Sequence, residues 1–258
     1  MKRKKTFLLG ISLVIFALGM AASMFVNVLT LWANLEGQSF WGYPEALAFD
    51  TSLTTKAELS RLSCPLILAP GEAGDVALKI RNPNNDPIEA WISARISKPG
   101  EFEDMMRELH SLPLAAGESS VLRWQVDASN IINQRMVQVR VFLRLTEHHP
   151  PARTKHCGIV FIDLWGLPGF AILLIALVGG HVFQVTGIWL WWYTRRAPGI
   201  QSQLVRNVLI ALSVLSLLMS LSSFLHNWIL SLVCLLLSLL IVFTTVGYHF
   251  GMFERPSN

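Results

Sequence analysis

His181 follows Gly179-Gly180 near the middle of a long apolar run. Ionisable side chains at that depth of a bilayer are costly and commonly functional. An imidazole there could ligate haem or shuttle protons. A second axial histidine at the same depth is missing, because His226 and His249 fall near opposite ends of the later apolar runs. Ser213, Ser216, Ser220 and Ser223 recur at intervals of three, four and three, which puts them on one helix face. Such a face either lines a watery path or holds helices together by close approach and hydrogen bonds. No Asp, Glu, Lys or Arg interrupts the core of any apolar run. The serines therefore read as helix packing, with His181 a neutral imidazole bonded to one of them. Ala176 and Gly180, four apart, offer a second small-residue contact.

Three more histidines, His148, His149 and His156, lie close to Cys157. Their spacing matches no zinc set, and Pro150-Pro151 marks a turn between them. No metal ligand is assigned. A phosphate-binding glycine loop, a nucleophile elbow, HExxH and CxxC are all absent from the sequence. No catalytic residue and no cofactor is expected.

The elements that must carry these residues are visible in the charge distribution. The chain has 258 residues, of which 52% are hydrophobic and 15% charged, against about 25% charged in a soluble domain. Residues 35–157 hold 13 basic and 15 acidic side chains; the remainder holds 8 basic and 2 acidic. The middle segment is slightly acidic, which excludes the basic clustered face of a nucleic-acid binder. Four apolar runs are long enough to span a bilayer: 7 to about 32, about 167 to 192, about 207 to 225 and 228 to about 250. Lys2, Arg3, Lys4 and Lys5 precede the first run, Arg195, Arg196 and Arg206 follow the second, and Arg255 follows the fourth. The positive-inside rule then puts both termini in the cytoplasm and residues 35–157 outside it, as in a plasma (inner) membrane protein. Trp32, Trp41, Trp165 and Trp228 fall at the outer interface; Trp189, Trp191, Trp192 and Tyr193 fall at the inner one. A cleaved signal peptide is the rival reading of the first run. Its apolar stretch continues to Leu31, beyond a signal core of about 7 to 15 residues, so an uncleaved anchor is expected.

Between 63 and 164 the periodicity changes from helical to two. Val76, Leu78 and Ile80 alternate with polar or small residues, as do Ile88 to Ile96, Leu122 to Val126 and Val137 to Leu145. This is the pattern of strands with one buried face. Pro70-Gly71, the 82–87 segment and Ala116-Gly117 punctuate them as turns. About seven strands in about 100 residues point to a two-sheet sandwich of immunoglobulin type. Residues 101–110 break the alternation and read as a short helix, and 35–43 as a juxtamembrane linker on the leaflet.

Leu68-Ala69-Pro70-Gly71-Glu72, Arg81-Asn82-Pro83-Asn84 and Leu114-Ala115-Ala116-Gly117-Glu118-Ser119 carry a resemblance. Over residues 63–164 the chain resembles bacterial extracytoplasmic immunoglobulin-like domains of the cell-adhesion-related family. The resemblance implies an adhesion or assembly module and transfers no active-site residue. First and last strands often run side by side in such sandwiches, so Cys64 and Cys157 are expected to form a disulfide in an oxidising compartment. The third and sixth strands usually neighbour each other too. Trp91, Arg95, Arg140, Phe142 and Arg144 would then share a solvent face of aromatics and arginines, the composition of a partner-binding hot spot.

The expectation is a membrane protein, an α-helical four-span bundle with an inserted all-β immunoglobulin-like sandwich domain. Its parts run 1–34 (first span), 35–62 (linker), 63–164 (sandwich), 165–194 (second span), 195–206 (cytoplasmic loop), 207–253 (third and fourth spans) and 254–258 (tail). The expected role is a non-enzymatic accessory or assembly subunit. Its partners are the lipid bilayer and another membrane or envelope protein in a hetero-oligomeric complex, without nucleic acid. A transport component using the serine face with His181, and a haem- or metal-binding redox accessory protein, are the alternatives.

Overall fold

Apolar length builds the helices. Among the described residues, four are long and apolar enough to cross a membrane: Phe7–Trp41, Gly169–Thr194, Gln203–Phe224 and Trp228–Tyr248. The structure, a computed structural model, describes residues 2–41, 58–100, 106–144, 153–194 and 200–249. Helix α1 (Lys2–Trp41) comes first, then the strands, then α2 (Gly169–Leu174), a π turn (Ile175–Gly179), α3 (Gly180–Thr194), α4 (Ile200–Phe224) and α5 (Trp228–His249). The chain divides into two compact units, Met1–Leu31 with Leu173–Asn258, and Trp32–Ile172.

Among the described residues the helical unit packs by two apolar clusters. Phe16, Trp191, Leu209 and Leu212 form one, and Leu31, Met219 and Cys234 the other. Trp191, expected at an interface, is thus a core residue at 5% exposure, whereas Trp189 and Trp192 are exposed. Helix α4 begins two turns before the expected start at 207, so 200–206 is helix and not loop. Gln201, Gln203 and Arg206 are good helix formers and extend the helix ahead of its apolar run. The second apolar helix starts later than expected, at Gly169, because Trp165 and Gly166 both take positive φ and turn the chain before Pro168.

Eight strands are present among the described residues. They are β1 (Glu58–Ser63), β2 (Ile67–Leu68), β3 (Gly74–Arg81), β4 (Ile88–Ile96), β5 (Met106–Leu114), β6 (Ser119–Val126), β7 (Met136–Arg144) and β8 (Arg153–Phe161). One sheet has the order β1-β3-β6 and the other β2-β8-β7-β4-β5. Both sheets send side chains into one core. Val76, Leu78 and Ile80 come from the first, and Ile92, Val139, Leu143 and Ile159 from the second. Residues 106–110 are strand rather than the expected helix; they pair with Arg107↔Arg95 to His110↔Ile92 along β4, where ladder hydrogen bonds override local propensity. The structure also corrects the linker reading, since 35–41 continues α1 as helix; residues 42–57 lie outside the described set.

The motif residues behind the resemblance have mechanical roles. Ala69-Pro70-Gly71-Glu72 and Ala115-Ala116-Gly117-Glu118 make the same turn twice. The glycine takes φ of +87° or +71°, and the glutamate Oε2 accepts from the alanine N–H three residues earlier, at 2.6 Å in each case. Asn82, fully buried, donates to the carbonyls of Asp86 (2.8 Å) and Ala115 (2.9 Å) and accepts from the Asn84 N–H (3.0 Å). It ties two loops together. Glu72 Oε2 also accepts from Gly169 N–H at 2.9 Å, anchoring the start of α2 to this unit.

Cys64 lies between β1 and β2, where the chain crosses from one sheet to the other, and is disulfide-bonded to Cys157 of β8. Strand β1 pairs with β3, while β2 pairs parallel with β8, so the bridge joins the two sheets at the crossing. It closes a separation of 93 residues. Replacing both cysteines by serine should lower the unfolding free energy of this unit by about 4 to 5 kcal/mol in the chain-entropy account. Urea melts of the detergent-solubilised chain, with and without reductant, measure it.

Candidate functional site

Strand β7 is buried on both faces. Val137, Val139, Val141 and Leu143 point into the core, and the other face carries Gln138, Arg140 and Phe142 at 0%, 4% and 7% exposure. The register places Arg95 opposite Arg140, Ser93 opposite Phe142 and Trp91 opposite Arg144, so the expected set does share a face. That face is not open to solvent, which corrects the expectation. Trp91 and Arg95 are half-buried, Arg140 and Phe142 are buried, and of Arg144 only the backbone is described.

The last turns of α1 cover it. Gln138 Nε2 donates to the Ala33 carbonyl at 2.8 Å, and Arg140 Nη1 donates to the Trp41 carbonyl at 2.8 Å. Arg140 therefore puts a cation on a carbonyl of the last described turn of α1, a charge-assisted hydrogen bond. The guanidinium carbons of Arg95 and Arg140 stand 5.0 and 5.5 Å from the Phe142 ring centroid, within cation–π range. Close approach needs glycine twice. A Cβ at Gly158 would collide with the Ala33 backbone, and one at Gly37 would come within 2.6 Å of Gln138 Oε1. At the edge, Glu36 accepts from Asn133 Nδ2 at 2.8 Å and from Trp32 Nε1 at 2.9 Å. The sequence signal missed was the polar, small-residue segment Ala33-Asn34 to Gly37, which is too polar for a span and too helical for a linker.

In the helical unit the serine face of α4 meets polar residues of α1. Ser23 Oγ and Ser216 Oγ are 3.0 Å apart, Asn27 Nδ2 donates to Ser220 Oγ at 2.9 Å, and Thr30 Oγ1 donates to Ser223 Oγ at 3.1 Å. Each pair is separated by 193 residues, so α1 and α4 run parallel and in step. Gln184 of α3 donates to Ser23 Oγ at 2.9 Å and reaches the Gly19 carbonyl at 3.4 Å. His181 Nε2 lies 3.3 Å from Ser220 Oγ. Gly180 packs against Gly19 and Ser23. The seam thus unites Ser216, Ser220, Ser223, Gly180 and His181. Ser213 Oγ is buried without a hydrogen-bond partner among the described residues, and Ala176 is half-buried on the π turn. Asn27, Thr30 and Gln184 were not foreseen. Ser23, Asn27 and Thr30 repeat the four-then-three spacing of Ser216, Ser220 and Ser223, and that match was readable.

His156 is half-buried beside Gly37, whereas His148 and His149 lie outside the described residues. Cys157, being in the disulfide, offers no thiolate. Among the described residues no group of three or more His, Cys, Asp or Glu is placed to hold a metal.

No family model and no curated protein matches the chain. Among solved structures, a CARDB domain from Pyrococcus furiosus, determined in solution, is similar at 7% identity over 42% of this chain and 94% of that one, with a TM-score of 0.32. A crystal structure of that domain with di-metal ions gives 10% identity, 44% and 98% coverage and a TM-score of 0.30. A Pseudomonas fluorescens alkylpurine DNA glycosylase gives 11% identity and a TM-score of 0.31; the match covers 42% of this chain and 31% of the glycosylase. Scores of this size carry no argument about activity.

Two outcomes follow from the geometry. Arg140→Met should cost about 1 to 3 kcal/mol, because it removes a part-buried hydrogen bond made by a charged group, whereas Arg123→Met at a 69% exposed position should stay within about 0.5 kcal/mol. Equal effects in denaturant melts would contradict the covered face. In the seam, a double-mutant cycle of Asn27→Ala with Ser220→Ala should give a coupling of about 0.6 kcal/mol, and no more than about 1.7.

Proposed function

We propose that this protein is a non-enzymatic integral membrane accessory or assembly subunit. In this reading both termini are cytoplasmic, residues 35–157 are extracytoplasmic, and an immunoglobulin-like domain there binds an acidic envelope protein. The orientation rests on the eight basic residues outside 35–157 falling on one side, and the Cys64–Cys157 bridge suits an oxidising compartment.

The observation that carries the binding role is the outer face of the three-stranded sheet. Arg61 of β1 stands directly opposite Lys79 of β3, with Arg81 two residues along and Arg123 on β6; all four are exposed. Like charges placed opposite each other on a sheet oppose folding. Arg61, Lys79 and Arg81 form no ion pair with any described residue. Asp75 lies 3.7 Å from Arg123, with both side chains more than 60% exposed, a pair that contributes little. Val121, half-exposed, sits among them opposite Lys79. Glu58 of β1 stands opposite Arg81 in the register and Asp75 lies beside Arg123, so the face carries four cations against two carboxylates, and that net positive charge is complementary to a negative partner surface.

The serine seam favours packing over a conduction path, since Ser216, Ser220 and Ser223 are engaged by Ser23, Asn27 and Thr30. The test is purification in a mild detergent of the wild type and of a chain carrying Arg61→Glu, Lys79→Glu and Arg81→Glu. A stoichiometric partner with an acidic exported domain should co-elute with the first and be lost from the second. Equal recovery with both, or recovery of the chain alone, sinks the binding role. Protease added to intact spheroplasts should cut within 35–157; protection there sinks the orientation.

A further inference from the structure

Helices α3 and α4 leave an open groove of about 430 Å³ between them, lined by Val185, Ile188, Trp189 and Trp192 of α3 and by Arg206 and Ile210 of α4. Among the described residues, Arg206 is the one charged side chain in that lining. It is half-buried and makes no hydrogen bond or ion pair with any described residue. It stands six residues into α4, about 9 Å along the axis, close to the connection between the two helices. Trp189 and Trp192 lie in the last turns of α3, at the same end, and are more than half exposed. Amphipathic indoles of this kind settle at the headgroup level. From there Ile188, Val185 and Ile210 continue the groove toward the helix interior with apolar surface alone.

We propose that this groove is a binding site for one anionic phospholipid, with the phosphate on Arg206 and an acyl chain laid along Val185, Ile188 and Ile210. Charge complementarity selects the headgroup. A guanidinium can grip two phosphate oxygens at once, and it is strongest where water is scarce. Size selects the tail. At roughly 30 Å³ for each small group, as for water, the space takes about a dozen methylenes. A helix from a second copy, about 10 Å across, needs more room than that. The proposal rests on these helices being embedded in a bilayer and not on what the β unit binds.

Native mass spectrometry of the full chain, with phosphatidylglycerol or phosphatidylcholine added at equal concentration, tests it. The unaltered chain should keep one phosphatidylglycerol under activation that strips phosphatidylcholine. Arg206→Gln should reduce that retention about tenfold, the equivalent of one charge-assisted hydrogen bond. Ile188→Trp, which fills the groove, should reduce retention of both lipids. Equal retention of the two lipids by the unaltered chain overturns the site, and so does a bound second copy in place of lipid. That comparison decides the matter without any variant. Release of the chain from native membranes by alkaline carbonate would instead sink the embedding itself.

Discussion

Arg140 is buried beneath the last described turn of α1, and its hydrogen bond to the Trp41 carbonyl, with that of Gln138 to Ala33, holds the cover on the β unit's second face. A guanidinium taken out of water must be compensated. Part of that compensation is the Trp41 carbonyl, in the last described turn of α1. Gln138, two residues along β7, gives a side-chain N–H to the Ala33 carbonyl within the same helix. The two glycines, Gly158 and Gly37, make these bonds possible by letting helix and sheet approach to contact distance. A sheet face that reads as hydrophilic is in this way an interior, sealed by the chain's own first helix.

The helical unit solves the same problem with weaker groups. In lipid, helices gain nothing from burying apolar surface against one another, so small residues and hydrogen bonds hold them. The ladder of Ser23, Asn27 and Thr30 against Ser216, Ser220 and Ser223 fixes the relative register of α1 and α4, because a slip of one residue would strand every rung. Gln184 ties α3 into the ladder, and Gly19 and Gly180 set its spacing. His181 joins at its edge through Ser220. The π turn just before Gly180 shifts the helix by one residue, and such turns move side chains onto a face they would otherwise miss.

With these polar groups engaged in holding the fold, two surfaces among the described residues keep cations that make no ion pair. One is the basic outer face of the three-stranded sheet, and the other is Arg206 at the mouth of an apolar groove. Both are cationic, and each is proposed to take a different negative partner: a folded surface in one case, a phosphate with a tail in the other.

Periodicity and charge were sufficient for the four apolar helices and for strands β3, β4, β6 and β7, because burial in lipid or on one side of a sheet leaves a direct trace in the order of residues. The cysteine pair could likewise be read as a bridge, although its place at a sheet crossing could not. What Trp91, Arg95, Arg140 and Phe142 face was decided by tertiary structure alone. Alternation shows which residues share a side, but not what covers that side, and the cover came from 32–41, far away in the chain. The partners of the serine face were settled the same way. A hydrogen bond between residues 193 apart leaves no local pattern, only two matching spacings whose meaning appears when the helices are brought together.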